Sequence, residues 1–215
     1  MLQVAAGLAT NVARVGDSTI TADSVAVRAV MADDAVNTWK VRALAGAVSG
    51  GDGIGGSIGV NYLDVTTLAD VQNGANLTAT AGNIDVVAVS HNELQNIAGG
   101  AGIGLDGAGV GISVAVNVLV NPDTPPGGDA VTDPAGLYTG ARVGSNATLN
   151  ASAAGGVNVS ADAELLPAAI EDDLPVIGGL AVTSFAAGVA GSGSSTAVGG
   201  SASINVLNMK TEASV

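Results

Sequence analysis

One nine-residue segment occurs three times, and it constrains the fold more than any other feature of the chain. Gly55-Gly56-Ser57-Ile58-Gly59-Val60-Asn61-Tyr62-Leu63 returns as Gly111-Ile112-Ser113-Val114-Ala115-Val116-Asn117-Val118-Leu119 and as Gly199-Gly200-Ser201-Ala202-Ser203-Ile204-Asn205-Val206-Leu207. All three read G-x-S-x-x-[VI]-N-x-L. A second marker, A-x-V, runs beside it at Ala13-Arg14-Val15, Ala69-Asp70-Val71, Ala141-Arg142-Val143 and Ala213-Ser214-Val215. Val15 to Val71 is 56 residues; Val15 to Asn61 and Val71 to Asn117 are both 46. The basic period is 56, a length that belongs to repeat architectures.

Two intervals are longer. Asn117 to Val143 is 26 residues where the first copy has 10, and Val143 to Asn205 is 62 where the others have 46. Each holds 16 extra residues. The first insertion includes Asn121-Pro122-Asp123-Thr124-Pro125-Pro126-Gly127-Gly128-Asp129, and the second includes Glu164 to Pro175. Their Pro, Gly and acidic content predicts exposed loops.

Between the markers lie paired strand signals. Ile20-Thr21-Ala22 precedes Val25-Ala26-Val27, Leu77-Thr78-Ala79 precedes Ile84-Asp85-Val86, and Leu149-Asn150-Ala151 precedes Val157-Asn158-Val159, with turn residues in each gap. The alternation has period 2. In the nine-residue motif Ile112, Val114, Val116 and Val118 point one way, and Ser113, Ala115 and Asn117 the other. No stretch carries a clean helical stripe, and Gly is too frequent for long helices.

A 56-residue unit of short strands cannot bury its apolar face alone, but stacked copies can. Propeller blades carry aromatic punctuation, and this chain has one Trp. The expected fold is all-β: a right-handed parallel β-helix, or β-solenoid. It would form a single segment over 1–215, with repeats at about 13–68, 69–140 and 141–212. At three strands per coil, each repeat would make three coils of roughly 19 residues, spaced ~4.8 Å, and the chain would be elongated. Asn61, Asn117 and Asn205 would sit at coil corners and not stack on adjacent coils. Small core residues would let the sheets approach closely. Open ends would expose strand edges and permit end-to-end self-association.

Composition narrows function. The chain has no Cys, which excludes disulfides and Cys-based zinc sites. Six basic residues against 19 acidic ones, a net charge of −13, leave no face for tracking phosphates, so no nucleic-acid partner is expected. Met1-Leu2-Gln3-Val4-Ala5-Ala6 has neither a basic start nor a sustained apolar run, so it does not read as a secretory signal. The chain reads either as a piece of a larger protein or as one exported by another route. Residues 175–209 carry no charge, but Gly, Ser and Thr break them up, and no transmembrane segment is expected.

The strand pairs of form L-x-A-x(2–5)-G-x-[VI]-x-V, alternating with the Gly/Ala-rich G-x-S-x-x-[VI]-N-x-L segments, resemble the repeats of large bacterial surface adhesins. These are filamentous haemagglutinin-like proteins, leukotoxin-type filamentous adhesins and β-helical autotransporter passengers. The resemblance spans residues 10–215. It implies a secreted or cell-surface bacterial rod, structural and adhesive. Its partners would be a host or neighbouring-cell surface or glycan, and flanking repeats of a parent chain. It carries over no catalytic residue.

Several residues invite a chemical reading. Gly55-Gly56-Ser57-Ile58-Gly59 matches G-x-S-x-G, the nucleophile elbow of serine hydrolases. Ser57 with His91 and Asp106 would make an esterase-like triad, the alternative to a structural role. Against it, Ser113 and Ser201 share the phase of Ser57, and the residues after Ser57 read as strand. Gly16-Asp17-Ser18 reads as a turn. Asp123, Asp129 and Asp133 in one insertion, and Glu171, Asp172 and Asp173 with Asp162 and Glu164 around the other, are candidate Ca²⁺ ligands, although no EF-hand or nonapeptide pattern is present. A carbohydrate-binding or carbohydrate-active β-helix is the further alternative, with Trp39 and Tyr62 as stacking platforms near the basic residues Arg28, Lys40 and Arg42.

Overall fold

The computed structural model describes residues 1–32, 35–119, 136–166 and 182–215. Among them all regular structure is strand, and every strand pairing is parallel. Three sheets result. Sheet A holds β1 (Leu2–Val15), β5 (Gly53–Val71), β8 (Gly109–Leu119), β9 (Leu137–Val143), β13 (Ala197–Leu207) and β14 (Met209–Ser214). Sheet B holds β2 (Thr19–Ala22), β6 (Asn76–Ala79) and β10 (Thr148–Asn150). Sheet C holds β3 (Val25–Val30), β4 (Asn37–Ser49), β7 (Ile84–Gly104), β11 (Val157–Leu165) and β12 (Val182–Ser192).

The chain visits A, B, C and A again once per repeat, so each repeat lies on the one before. Leu2 faces Ile58 and Asn61 faces Asn117, both pairs 56 apart. This corrects the expectation of three 19-residue coils per repeat. A whole repeat makes one circuit, because its strands run to 21 residues in β7 rather than five or six. Three circuits and a fourth pass through sheet A account for the described strands, and sheet A is only four strands deep, ~14 Å from first to last at the usual spacing. The expected elongation along the stack is therefore not found.

The circuit absorbs length changes at its corners. Thr19 to Asn76 is 57 residues, Val25 to Ile84 is 59 and Asn37 to Asn92 is 55, after which the offset returns to 56. The first insertion falls between β8 and β9, where the offset rises from 56 to 72 (Val65 to Leu137). The second divides: the corner before β11 adds one residue (Ile84 to Val157 is 73), and 15 follow Leu165 (Leu94 to Val182 is 88). The corner after β5 turns at Gly74, whose φ of 84° lies in the region that favours glycine.

Two interiors are present. Where all three sheets meet, the inside is aliphatic: Val25, Val27, Val71, Leu77, Ile84 and Val86 pack with Ala69 and Ala88. Beyond a neck of Leu63, Val65, Leu94, Leu119 and Leu137, sheets A and C alone face each other. There the inward positions are glycines. A Cβ on Gly53 or Gly55 would overlap the carbonyls of Ile103 or Ala101, and one on Gly111 that of Val189. The strands touch backbone to backbone, and the larger residues of the alternation lie outside: Ile54 is 71% exposed, Ile58 44% and Ile112 50%. The period-2 reading of the motif is right, and its Ser/Ala/Asn face is the inner one.

Candidate functional site

The inward face of sheet A carries the residues that the motif repeats. Ser57 stands in register with Ser113, which stands in register with Ser201. Ser57 and Ser113 are 2% and 0% exposed, and neither Oγ has a hydrogen-bond partner. His91 lies at an outward position of β7, between inward Ser90 and Asn92, in register with Glu164 of β11. Asp106 is exposed in the turn between β7 and β8. Ser57 thus faces the interior of one sheet, while His91 faces away from the interior on another. A nucleophile needs its base at hydrogen-bond reach, and no hydrogen bond joins these three.

The asparagines form a ladder. Asn61 Nδ2 donates to Asn117 Oδ1 at 3.0 Å and to the Gln95 carbonyl at 3.1 Å; Asn117 Nδ2 donates to Asn205 Oδ1 at 2.8 Å. They lie in mid-strand and stack on successive circuits. That corrects the corner placement and its prediction of no stacking, for the same reason as above: one repeat is one circuit. Asn96 ties the sheets from the other side, its Nδ2 donating to the carbonyls of Gly59 at 3.0 Å and Val116 at 2.8 Å. Buried amides that stack in register satisfy one another and fix that register. The ladder stops at Ala5, which faces Asn61 and leaves Asn61 Oδ1 without a donor.

A second ladder was missed in the sequence. The middle residues of the A-x-V markers stack on the outer face. Asp70, 2% exposed, accepts from Arg14 Nε at 3.1 Å and from Arg142 Nη2 at 3.3 Å. The alternating signs of Arg14, Asp70 and Arg142 one repeat apart were the available signal. The basic residues Arg28, Lys40 and Arg42 are each held by a side chain of β7. Arg28 meets Asp85 at 2.6 Å, Lys40 meets Glu93 at 3.3 Å, and Arg42 donates to Gln95 Oε1.

Beside the charge ladder Tyr138, 1% exposed, donates its hydroxyl to Glu212 at 2.7 Å, and Lys210 meets the same carboxylate at 3.0 Å. Burial first, then the hydrogen bond to Glu212, pushes the Tyr138 hydroxyl above its ordinary value. For Glu212 burial opposes ionisation, but the hydrogen bonds from Tyr138 and Lys210 and the charges of Lys210 and Arg142 outweigh it and hold the carboxyl below its usual value.

The two aromatic candidates separate. Trp39 turns inward, packs against the neck cluster and covers Gly7, where a Cβ would overlap its ring. Tyr62 is half-buried on the outer face of β5. The Ca²⁺ candidates Asp123, Asp129, Asp133, Glu171, Asp172 and Asp173 lie outside the described residues. Asp162 and Glu164 are exposed on β11. Among the described residues no three His, Cys, Asp or Glu gather where a metal ion would sit, and no helix is long and apolar enough to cross a membrane. An opening of about 570 Å³ is lined by Val143, Leu149, Val157 and Val159 together with Ser145.

No protein-family model matches this chain, and neither a curated protein nor a solved structure matches it.

Proposed function

We propose that the chain is a β-solenoid segment with a structural and adhesive role in a secreted or cell-surface bacterial protein. The observation that carries this reading is the in-register stacking of whole repeats, each adding one strand to the same sheets. Such a stack extends by repetition and presents the same outer surface at every step, which suits a spacer that displays binding loops. The right hand follows from the rule for crossovers between parallel strands. The strands that flank the two insertions, β8 and β9 and then β11 and β12, belong to one circuit, and a host or neighbouring-cell surface or glycan is the partner class proposed for the insertions.

The test has a structural and a functional arm. Deleting residues 57–112 joins Gly56 to Ser113 in unchanged phase. The shortened chain is expected to fold with the same circular dichroism spectrum and one strand fewer in sheet A. Loss of all structure would sink the repeat as the building unit. In the second arm, beads coated with the full chain are expected to adhere to a glycan array or to host cells, less so without residues 120–135. No adhesion at high bead density would overturn the adhesive role. Aryl-ester hydrolysis that disappears in Ser57→Ala would replace it with the hydrolase.

A further inference from the structure

We propose that the outer face of sheet A beside the glycine-packed interior is a self-association surface, on which a second copy of this chain packs face to face. The face is made of the outward residues of four neighbouring strands. Its rows, read across the strands in register, are Ile54–Val110–Val198, Gly56–Ile112–Gly200, Leu2–Ile58–Val114–Ala202 and Val4–Val60–Val116–Ile204. Much of it is open: Leu2 is 66% exposed, Val4 57%, Val198 52% and Ile204 48%. No charged residue interrupts these rows, in a chain with a net charge of −13.

The size fits a weak protein interface. The four rows hold three, three, four and four residues, which at ~6.6 Å between rows and ~4.8 Å between strands cover roughly 440 Å². That lies within the ~300–600 Å² of the largest, often functional patch on an ordinary monomer, and two copies together would bury roughly 900 Å², in the range of weak association. The relief favours a copy of itself. Ile112 stands between Gly56 and Gly200, a ridge flanked by two gaps. Under a two-fold axis the ridge of one copy enters a gap of the other. Charge favours it too, because this face lets two acidic chains approach without opposing carboxylates.

Two other occupants fit less well. A bilayer would cover the apolar rows, but the edges of β1 and β13 leave backbone groups unpaired in hydrocarbon, which is costly. End-to-end stacking meets a geometric mismatch. Sheet A is four strands deep, whereas sheets B and C are three. Placing β1 of a second copy on β13 and β14 would leave sheets B and C one strand short at the junction.

Sedimentation velocity and light scattering on the full chain, from 1 to 200 µM, test the proposal. The wild type is expected to reach a dimer mass of twice 20.4 kDa and stop there. Ile112→Lys is expected to weaken the dimer by about tenfold or more with an unchanged circular dichroism spectrum. Should that variant fail to fold, Ile54→Lys at the exposed rim makes the same test. Leu44→Lys, on the outer face of sheet C and 62% exposed in the free chain, is expected to leave the dimer intact. A monomer throughout, an open series of higher oligomers, loss of the dimer in Leu44→Lys alone, or a monomer that binds phosphatidylcholine vesicles would each overturn it.

Discussion

The glycine-packed arm and the aliphatic lobe are built from the same repeat and the same alternation, and in both the odd-numbered residues of β5 face inward, yet the lobe buries its larger apolar side chains and the arm its smaller ones. In the lobe, β5 turns Ala69 and Val71 inward and Asp70 outward. In the arm, the same strand turns Gly53, Gly55 and Ser57 inward and Ile54 and Ile58 outward. The lobe gains its stability from apolar area removed from water. The arm removes little, and gains instead from close backbone packing and a ladder of amides. Alternation therefore identifies a strand, while the size of the smaller residue decides which face can be closed. Where glycine lies opposite glycine, the small side wins because the backbones approach closely enough to leave no void.

The sharpest way to break this comparison is to add volume inside the arm. Gly55→Val drives a side chain into the Ala101 carbonyl and is expected to lose on the order of 5 kcal/mol in chemical denaturation. Gly56→Val, one residue on, meets nothing closer than the Ile112 carbonyl at 3.6 Å and is expected to lie within about 0.5 kcal/mol of wild type. Equal losses would show that the inner and outer faces have been confused. Removing volume should reverse the ranking of the two regions. Leu77→Ala in the lobe is expected to cost about 3 kcal/mol, Ile112→Ala on the outer arm under about 1.

The amide ladder offers a finer contrast, between breaking and extending. Asn117→Ala strips an acceptor from Asn61 and a donor from Asn205, and is expected to cost about 2 kcal/mol. Ala5→Asn places a donor opposite the orphan Asn61 Oδ1 and is expected to add about 1 kcal/mol. No gain from the second would mean that the ladder fixes register without stabilising. The smallest effect concerns pH. Tyr138→Phe is expected to cost about 1 kcal/mol at pH 7. Glu212 is held below its ordinary value of 4.5, so its contribution is present above that pH and fades as pH falls through the lower folded value. The gap between wild type and Tyr138→Phe should therefore narrow below about pH 4.5. On the alkaline side the raised Tyr138 hydroxyl works the other way, and stability should fall above about pH 10. Melting curves across that range read both ends.

Much of this was legible in the sequence. The strand pairs around Ala22, Ala79 and Asn150, the period of 56 and the position of the first insertion follow from turn residues and spacing. The coil length did not. Period-2 alternation says nothing about where a strand ends, and Gly in β5 and β7 reads as a break when it is the packing surface itself. The same ambiguity put Asn61, Asn117 and Asn205 at corners, because Asn is common in turns and its use in a stacked ladder depends on the register. For Ser57, the shared phase with Ser113 and Ser201 was legible, and the three serines stand in register on sheet A. The Arg14–Asp70–Arg142 ladder was within reach, had the residues between Ala and Val been compared across repeats.

One circuit per repeat also sets how the molecule would respond to force. The hydrogen bonds between circuits run along the stacking direction, so tension along that axis pulls on them nearly end to end and opens the outermost circuit first. Each circuit let go would release roughly 180 Å of extended chain, 56 residues at ~3.3 Å, in exchange for ~4.8 Å of stack. A chain of this kind is short at rest and holds a long reserve of slack, given out circuit by circuit and lengthened at the third by the two insertions.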